Sequence, residues 1–134
     1  AFGVKLYESM SRRELAERYT RALRQHPWLR PSYIPDGAEP NFQSYAVTVT
    51  NNSPVSRDEL MQRMLEQDIT TRRGIMLAHL EPASQALNPP ALPISEEASR
   101  TSLLLPLYPQ MTDEEQQRVI TALHEIGQPN SQAA

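Results

Sequence analysis

The stretch "SYAVTVTN", residues 44–51, carries the clearest secondary-structure signal in the chain. Tyr45, Val47 and Val49 alternate with small or hydroxylated side chains, which is the period-two pattern of a strand with one buried face. A strand of this kind pairs with other strands and needs a second layer over its apolar face. The stretch therefore predicts a sheet that is covered by helices.

An amphipathic helix is predicted before this strand. In "SRRELAERYTRALRQHP", residues 11–27, the apolar side chains recur at helical spacing, with Leu15 and Tyr19 on one face and charged residues opposite. Ser11 is the expected N-cap, and Pro27 is expected to end the helix.

A second helix is predicted directly after the strand. "SRDELMQRMLEQ" opens with Ser56 and Glu59 at the spacing of a capping box. The side chains expected on its buried face are Leu60, Met61, Met64 and Leu65.

The C-terminal third predicts a short helix, a buried strand at residues 102–105 and a last helix. Pro106 is expected to stop the strand, and Thr112 with Glu115 forms a second capping box. Gly127 is a typical helix terminator. The predicted buried stripe of the last helix is Val119, Ile120, Leu123 and Ile126.

Three less regular stretches connect these elements. "WLRPSYIPDGAEP", residues 28–40, is predicted to be an extended connection with a Pro-Asp-Gly turn, and "DITTRR", residues 68–73, a short strand. Residues 74–92 carry no regular pattern. The predicted fold class is therefore α/β (α+β), a small two-layer domain with a short sheet and helices packed on one face.

Composition narrows the function classes. The 134 residues include 13 basic and 16 acidic side chains, for a net charge of −3, and the basic ones form no stripe, which argues against a nucleic-acid partner. The chain has no cysteine and no apolar run near the roughly 20 residues needed to span a bilayer. We expect a cytoplasmic protein without membrane contact. The opening "AFGVKLY" resembles neither a natural start nor a signal peptide, and so suggests a piece of a longer chain.

The candidate ligand-binding residues lie in "ITTRRGIMLAHLEP", residues 69–82. His79, between a predicted strand and a proline, is placed to contact a ligand, although a histidine hydrogen-bonded to a backbone carbonyl is the more frequent arrangement. Arg72 and Arg73 offer guanidinium groups to phosphate or carboxylate, or else form a charged strand edge that discourages pairing. Gly74 permits a close backbone approach.

No complete active site is predicted. The chain has no pair of histidines at metal-ligand spacing, no nucleophile elbow and no phosphate-binding glycine loop. Lys5, the only lysine, lies in an apolar strip and is a poor Schiff-base candidate. His26 and His124 lie near helix ends and are interpreted as structural. We therefore predict no catalytic, cofactor-binding or metal-binding residue in this chain.

Four stretches together resemble the DegT/DnrJ/StrS family of pyridoxal-phosphate-dependent sugar aminotransferases. They are "SRRELAERYTRAL", "SYAVTVTN", "SRDELMQRMLEQDITTRRGIMLAHLEPAS" and "LPISEEASRTSLLLPLYPQMTDEEQQRVITAL", in the family's order over roughly residues 9–126. The resemblance is to the small C-terminal domain of fold type I aminotransferases and implies a mainly antiparallel sheet. On this basis residues 11–127 form that domain, residues 1–10 are a linker remnant from a missing large domain, and residues 128–134 are a frayed tail.

The resemblance implies an enzyme in the parent protein and an inactive chain in isolation. In the family the large domain holds pyridoxal phosphate and the catalytic lysine, and glutamate supplies the amino group that reaches a keto sugar carried on a nucleotide. His79 matches a histidine that lines the sugar-nucleotide side of the site and would position the sugar rather than move its proton. Arg72 and Arg73 become candidate contacts for substrate carboxylate or phosphate. Ser84 stands where many relatives have an aromatic residue, so the resemblance does not imply an aromatic contact with substrate at that position.

Two other functions remain open at this stage. A dehydratase of the same family would share this domain, and the residue that discriminates the two lies outside the sequence. A free-standing interaction module could have kept the fold without the chemistry, in which case the apolar residues Phe2, Val4, Leu6 and Tyr7 would mark a surface seeking a partner. Family members are usually dimers, so a homodimer is also left open.

Overall fold

The computed structural model describes residues 2–128, with side chains from residue 12 onward. Lys5 and the apolar side chains at positions 2, 4, 6 and 7 lie outside the described side chains. The expected frayed tail, apart from Gln128, lies outside the described residues.

A four-stranded antiparallel sheet forms one layer, with strand order β1-β2-β4-β3. The strands are β1 (Leu29–Pro31), β2 (Tyr45–Val49), β3 (Arg72–Arg73) and β4 (Ser102–Leu105). The alternation seen in the sequence is present in the structure. Every second side chain of β2 is buried, so one face of the strand packs against the core. β4 pairs along β2 with Val47 opposite Leu103 and Tyr45 opposite Leu105, so both strands present apolar side chains to the same core.

Helices supply the second layer. Their bounds are α1 (Phe2–Leu23), α2 (Arg57–Leu65), α3 (Pro82–Gln85), α4 (Pro93–Thr101) and α5 (Asp113–Ile126). Buried side chains of α1, α2 and α5 join those of the strands in a single apolar cluster. The predicted α/β two-layer architecture with an antiparallel sheet is confirmed.

The two predicted capping sites occur at the expected residues but differ in completeness. At α5 the Thr112 hydroxyl accepts from the Glu115 N–H at 3.1 Å, and the Glu115 carboxylate accepts from the Thr112 N–H at 2.8 Å, so the capping box is complete. At α2 the Ser56 hydroxyl accepts from the Glu59 N–H at 3.1 Å. The Glu59 side chain instead pairs with Arg63, at 2.5 Å, and leaves the second half of that box unmade.

The predicted start of the first helix is wrong. α1 begins at Phe2 and runs without interruption through Ser11, so Ser11 cannot be its N-cap. The helix also crosses the boundary proposed between residues 10 and 11. A run of residues with acceptable helix propensity extends N-terminal of the apolar pattern, and the pattern alone does not show where helical backbone begins.

Other departures concern short elements. Leu65 was placed on the buried face of α2, but it is 54% exposed because α2 ends there. The connection after Trp28 contains β1, which pairs with β2, and the irregular stretch contains a 3-10 turn at Ala78–Leu80 and the single turn α3. The predicted strand at 68–73 shortens to β3. Pairing with a neighbouring strand sets the bounds of such short strands, so the local sequence does not determine where they begin and end.

Candidate functional site

Arg72 and Arg73 form the edge strand β3, next to β4 in the sheet. Arg72 lies opposite Leu104 and Arg73 opposite Leu103. Successive side chains of a strand point to opposite faces, so the two guanidinium groups do not converge on one ligand. Leu103 belongs to the core, which places Arg73 on the helix side of the sheet.

The two arginines also differ in their partners. Arg73 lies 3.9 Å from the Asp58 carboxylate of α2, an exposed pair of small energetic value. The Arg72 side chain has no hydrogen bond or ion pair within the part of the chain that the structure describes. Of the two, Arg72 has the guanidinium that remains available for an anion.

Arg72 lines a cleft of about 520 Å³ beside the end of β4. Arg118 and Glu115 of α5 also line this cleft, together with Tyr108. Burial and a hydrogen bond to Glu115 raise the pKa of Tyr108, while the Thr112 N–H and the Tyr108 hydroxyl lower the pKa of Glu115. Positive and negative groups are mixed here, so the cleft suits a polar ligand and is not specific for anions.

His79 lies in the 3-10 turn and is held by polar contacts. Its Nε2 is 3.0 Å from Glu96 Oε1, and its side chain is only 9% exposed. The Gln85 side-chain amide donates to the His79 carbonyl at 2.9 Å. The frequent alternative, a ring bound to a backbone carbonyl, is not what the structure shows; the partner is a carboxylate.

Glu96 is the functional candidate that the sequence did not reveal. The same oxygen that contacts His79 also accepts from the Leu92 N–H at 2.9 Å. These two contacts lower the pKa of Glu96, the backbone hydrogen bond more than the histidine. Glu96 sits among ordinary helix-surface residues 17 positions after His79, and only the folded chain brings the pair together.

The three predicted site residues are therefore not one cluster. His79 pairs with Glu96, Arg73 with Asp58, and Arg72 faces the cleft. They lie on a connected stretch of chain that runs from β3 into the exposed segment, defined here as residues 74–94. Their role in binding stays a prediction.

His26 has the structural role expected of it. Its Nδ1 accepts from the Leu29 N–H at 3.1 Å, and its Nε2 lies 3.2 Å from the Leu123 carbonyl, so the neutral ring carries its proton on Nε2. Burial lowers the pKa of His26 and favours this neutral form. The ring thereby joins α5 to the start of β1.

A buried arginine connects the core to the exposed segment. Arg57, at the start of α2, donates from Nη1 to the carbonyls of Ser99 and Ser102, each at 2.9 Å, and from Nε to Asp58. The Ser102 carbonyl also accepts a hydrogen bond from the Gly74 N–H, at 3.2 Å. The start of the exposed segment, at Gly74, is therefore fixed at this junction.

The described side chains do not fit pyridoxal phosphate. From residue 12 to residue 128 there is no lysine to hold the cofactor covalently, and the glycines in that range are isolated rather than gathered in a phosphate-binding loop. Within the same range no three histidine, aspartate or glutamate side chains gather around a possible metal ion. Nor does any helix within residues 2–128 have both the length and the apolar character that crossing a bilayer requires.

Comparison with known proteins identifies the family of this chain. The model of the DegT/DnrJ/EryC1/StrS aminotransferase family matches residues 5–124. The chain belongs to this family. It is 38% identical over 105 residues to the dTDP-4-dehydro-2,3,6-trideoxy-D-glucose 4-aminotransferase of Saccharopolyspora spinosa, covering 78% of this chain and 26% of that enzyme.

Solved structures of aminotransferases share the fold. The aminotransferase TlmJ of Streptoalloteichus hindustanus superposes with a TM-score of 0.79 at 27% identity, over 88% of this chain and 31% of TlmJ. Spr1654 of Streptococcus pneumoniae in its PLP form gives 0.81 at 18% identity, over 90% of this chain and 31% of that one. The chain thus spans about a quarter to a third of the length of these three proteins.

Proposed function

We propose that this chain is the C-terminal domain of a pyridoxal-phosphate-dependent nucleotide-sugar aminotransferase and closes its substrate site. The parent enzyme would convert glutamate and a keto sugar into 2-oxoglutarate and an amino sugar. The observation that carries the proposal is the family match over residues 5–124, because it includes every strand and the exposed segment with its candidate contacts. Membership in an aminotransferase family and the name of the Saccharopolyspora relative support the reaction class.

The division of labour follows from what the described residues offer. They include no lysine and no phosphate loop, so this domain would contribute walls and positioning groups, while the remainder of the enzyme would supply the cofactor. His79 is enclosed and oriented, and Arg72 is unpaired among the described residues. We assign both side chains to substrate contact and leave proton transfer to the remainder of the enzyme.

The test compares two purified proteins, the 134-residue chain and the longest protein that its gene encodes. Each is incubated with pyridoxal phosphate, glutamate and a panel of UDP- and dTDP-linked keto sugars, and products are identified by mass spectrometry. We expect an amino sugar and 2-oxoglutarate from the longer protein and neither product from the chain alone. Amino-sugar formation by the 134-residue chain would overturn the proposed division of labour.

The same assay separates the rival functions. A dehydratase would release a deoxy sugar and consume no amino donor. An interaction module would give no product from either protein, and the exposed apolar side chains of residues 74–94 are the observation in favour of it.

A further inference from the structure

The contact between His79 and Glu96 fixes the orientation of the His79 ring as well as its position. The Nε2–Oε1 distance is 3.0 Å, and the carboxylate oxygen is itself held at 2.9 Å by the Leu92 N–H. Leu92 is the N-cap of α4, and Glu96 lies in the first part of that helix, next to the rigid Pro93. The Glu96 carboxylate is thus held at the N-terminus of α4 by a contact that does not depend on the histidine.

This geometry determines which ring nitrogen of His79 faces the carboxylate. A carboxylate lowered in pKa is ionised and only accepts hydrogen bonds, so Nε2 must donate to it. In the neutral tautomer that satisfies this contact, Nδ1 is the acceptor. No described residue donates a hydrogen bond to Nδ1, which leaves this atom for a ligand.

We propose that Glu96 is a positioning residue that holds the His79 ring with Nδ1 turned toward a sugar hydroxyl of the substrate. The inference rests on the proposed function, which supplies the sugar. A hydroxyl group matches Nδ1 in either protonation state, because it can donate to a neutral ring and accept from a charged one.

A kinetic experiment on the longest protein encoded by the gene tests this role. Glu96→Ala removes the acceptor, and Glu96→Gln retains a carbonyl oxygen that can accept from both Nε2 and the Leu92 N–H. The matched control is Glu97→Ala, on the same helix, where the carboxylate pairs with Arg100 instead. The measurements are kcat and KM for the nucleotide-linked keto sugar, and the inhibition constants of UDP and dTDP alone.

We expect Glu96→Ala to raise KM by about tenfold, the value of one hydrogen bond, with kcat nearly unchanged. The inhibition constants of UDP and dTDP should stay the same, because phosphate does not contact His79. Glu96→Gln should restore KM to within about threefold of wild type, and Glu97→Ala should change nothing. Equal weakening of sugar substrate and nucleoside diphosphate, or no change in KM, would overturn the proposal.

A second measurement separates failure of this inference from failure of the proposed function. Nitrogen-15 spectra of the ring, recorded where His79 is neutral, should show a protonated Nε2 and an unprotonated Nδ1 in wild type. In Glu96→Ala the two signals should move toward each other, while those of buried His26 stay fixed. A proton on Nδ1 in wild type, or no response to the substitution, overturns the role of Glu96 whatever the activity. A fixed ring in a protein that does not transaminate overturns the proposed function and, with it, the sugar hydroxyl as ligand.

Discussion

The core and the exposed segment of this chain use apolar side chains in opposite ways. Strands β1, β2 and β4 and helices α1, α2 and α5 bury theirs in one cluster. No residue from 70 to 101 is fully buried, although several are large and apolar. The exposed ones within residues 74–94 are Ile75, Met76, Leu80, Leu87, Leu92 and Ile94.

This difference indicates which region stabilises the fold. The core is stabilised by burial, which is cooperative and distributed over many contacts. The exposed segment is held by a few polar contacts, such as the pair of His79 with Glu96 and the Ser99 hydroxyl that donates to the Ile75 carbonyl at 2.8 Å. Segments of this kind open locally at low cost, and sites that must admit a ligand are commonly built on them.

A matched pair of leucine substitutions tests the comparison most strongly. Leu103 on β4 is 0% exposed and Leu87 in the exposed segment is 81% exposed. Leu103→Ala should lower the free energy of unfolding by about 2–5 kcal/mol, from lost burial plus a cavity, while Leu87→Ala should change it by less than about 0.5 kcal/mol. Urea denaturation of both variants measures this. Equal effects would mean that the two regions are packed alike.

Gly74 tests the boundary between the regions. A Cβ at this position would lie 2.8 Å from the Ser102 Cβ and 3.2 Å from its backbone carbon, so Gly74→Ala should destabilise by about 1–3 kcal/mol in urea denaturation. Ser102→Gly removes the obstructing side chain. The cost of Gly74→Ala should therefore be smaller in that background, and an unchanged cost would show that the close approach is not its cause.

Arg57 provides a smaller perturbation of the same junction. Arg57→Lys replaces a planar group that reaches two carbonyls and Asp58 with a single ammonium, and should cost about 1–2 kcal/mol of unfolding free energy. Its control is Arg63→Lys, since Arg63 is half exposed and pairs with Glu59 on the helix surface, where about 0–0.5 kcal/mol is expected. Equal losses by chemical denaturation would indicate that the buried contacts of Arg57 carry no additional stability.

The smallest expected effect is a pH dependence located in the exposed segment. The folded-state pKa of Glu96 lies below its ordinary value of 4.5, so its contacts stabilise the fold above that pH. This contribution is lost as pH falls from 4.5 through the lower folded-state pKa. Glu96→Gln should therefore lose less stability than wild type over that acid range, and Glu97→Gln should follow wild type more closely. Identical acid profiles for Glu96→Gln and wild type would contradict the assignment.

Periodicity was sufficient for the elements that bury a regular face. β2, β4, α2 and α5 were predicted close to their observed bounds because alternation and helical spacing are local properties of the chain. The same reasoning failed at α1, where helical backbone continues N-terminal of the pattern past Ser11, and at Leu65, where the helix ends and no neighbour covers the side chain. β1 escaped prediction because pairing with β2, and not its own three residues, makes it a strand.

The residue types of the candidate site were identified from the sequence. Alternation along β3 places the side chains of Arg72 and Arg73 on opposite faces of the sheet. The partners of the candidate side chains could not be predicted from the sequence. Asp58 and Glu96 come from other elements, so their contacts depend on distances that exist only after the sheet and helices have packed. Local sequence thus determined the kinds of element and the candidate groups, through periodic burial and side-chain chemistry. Tertiary structure decided which charges meet, because those contacts join residues that are distant in the chain and close in space.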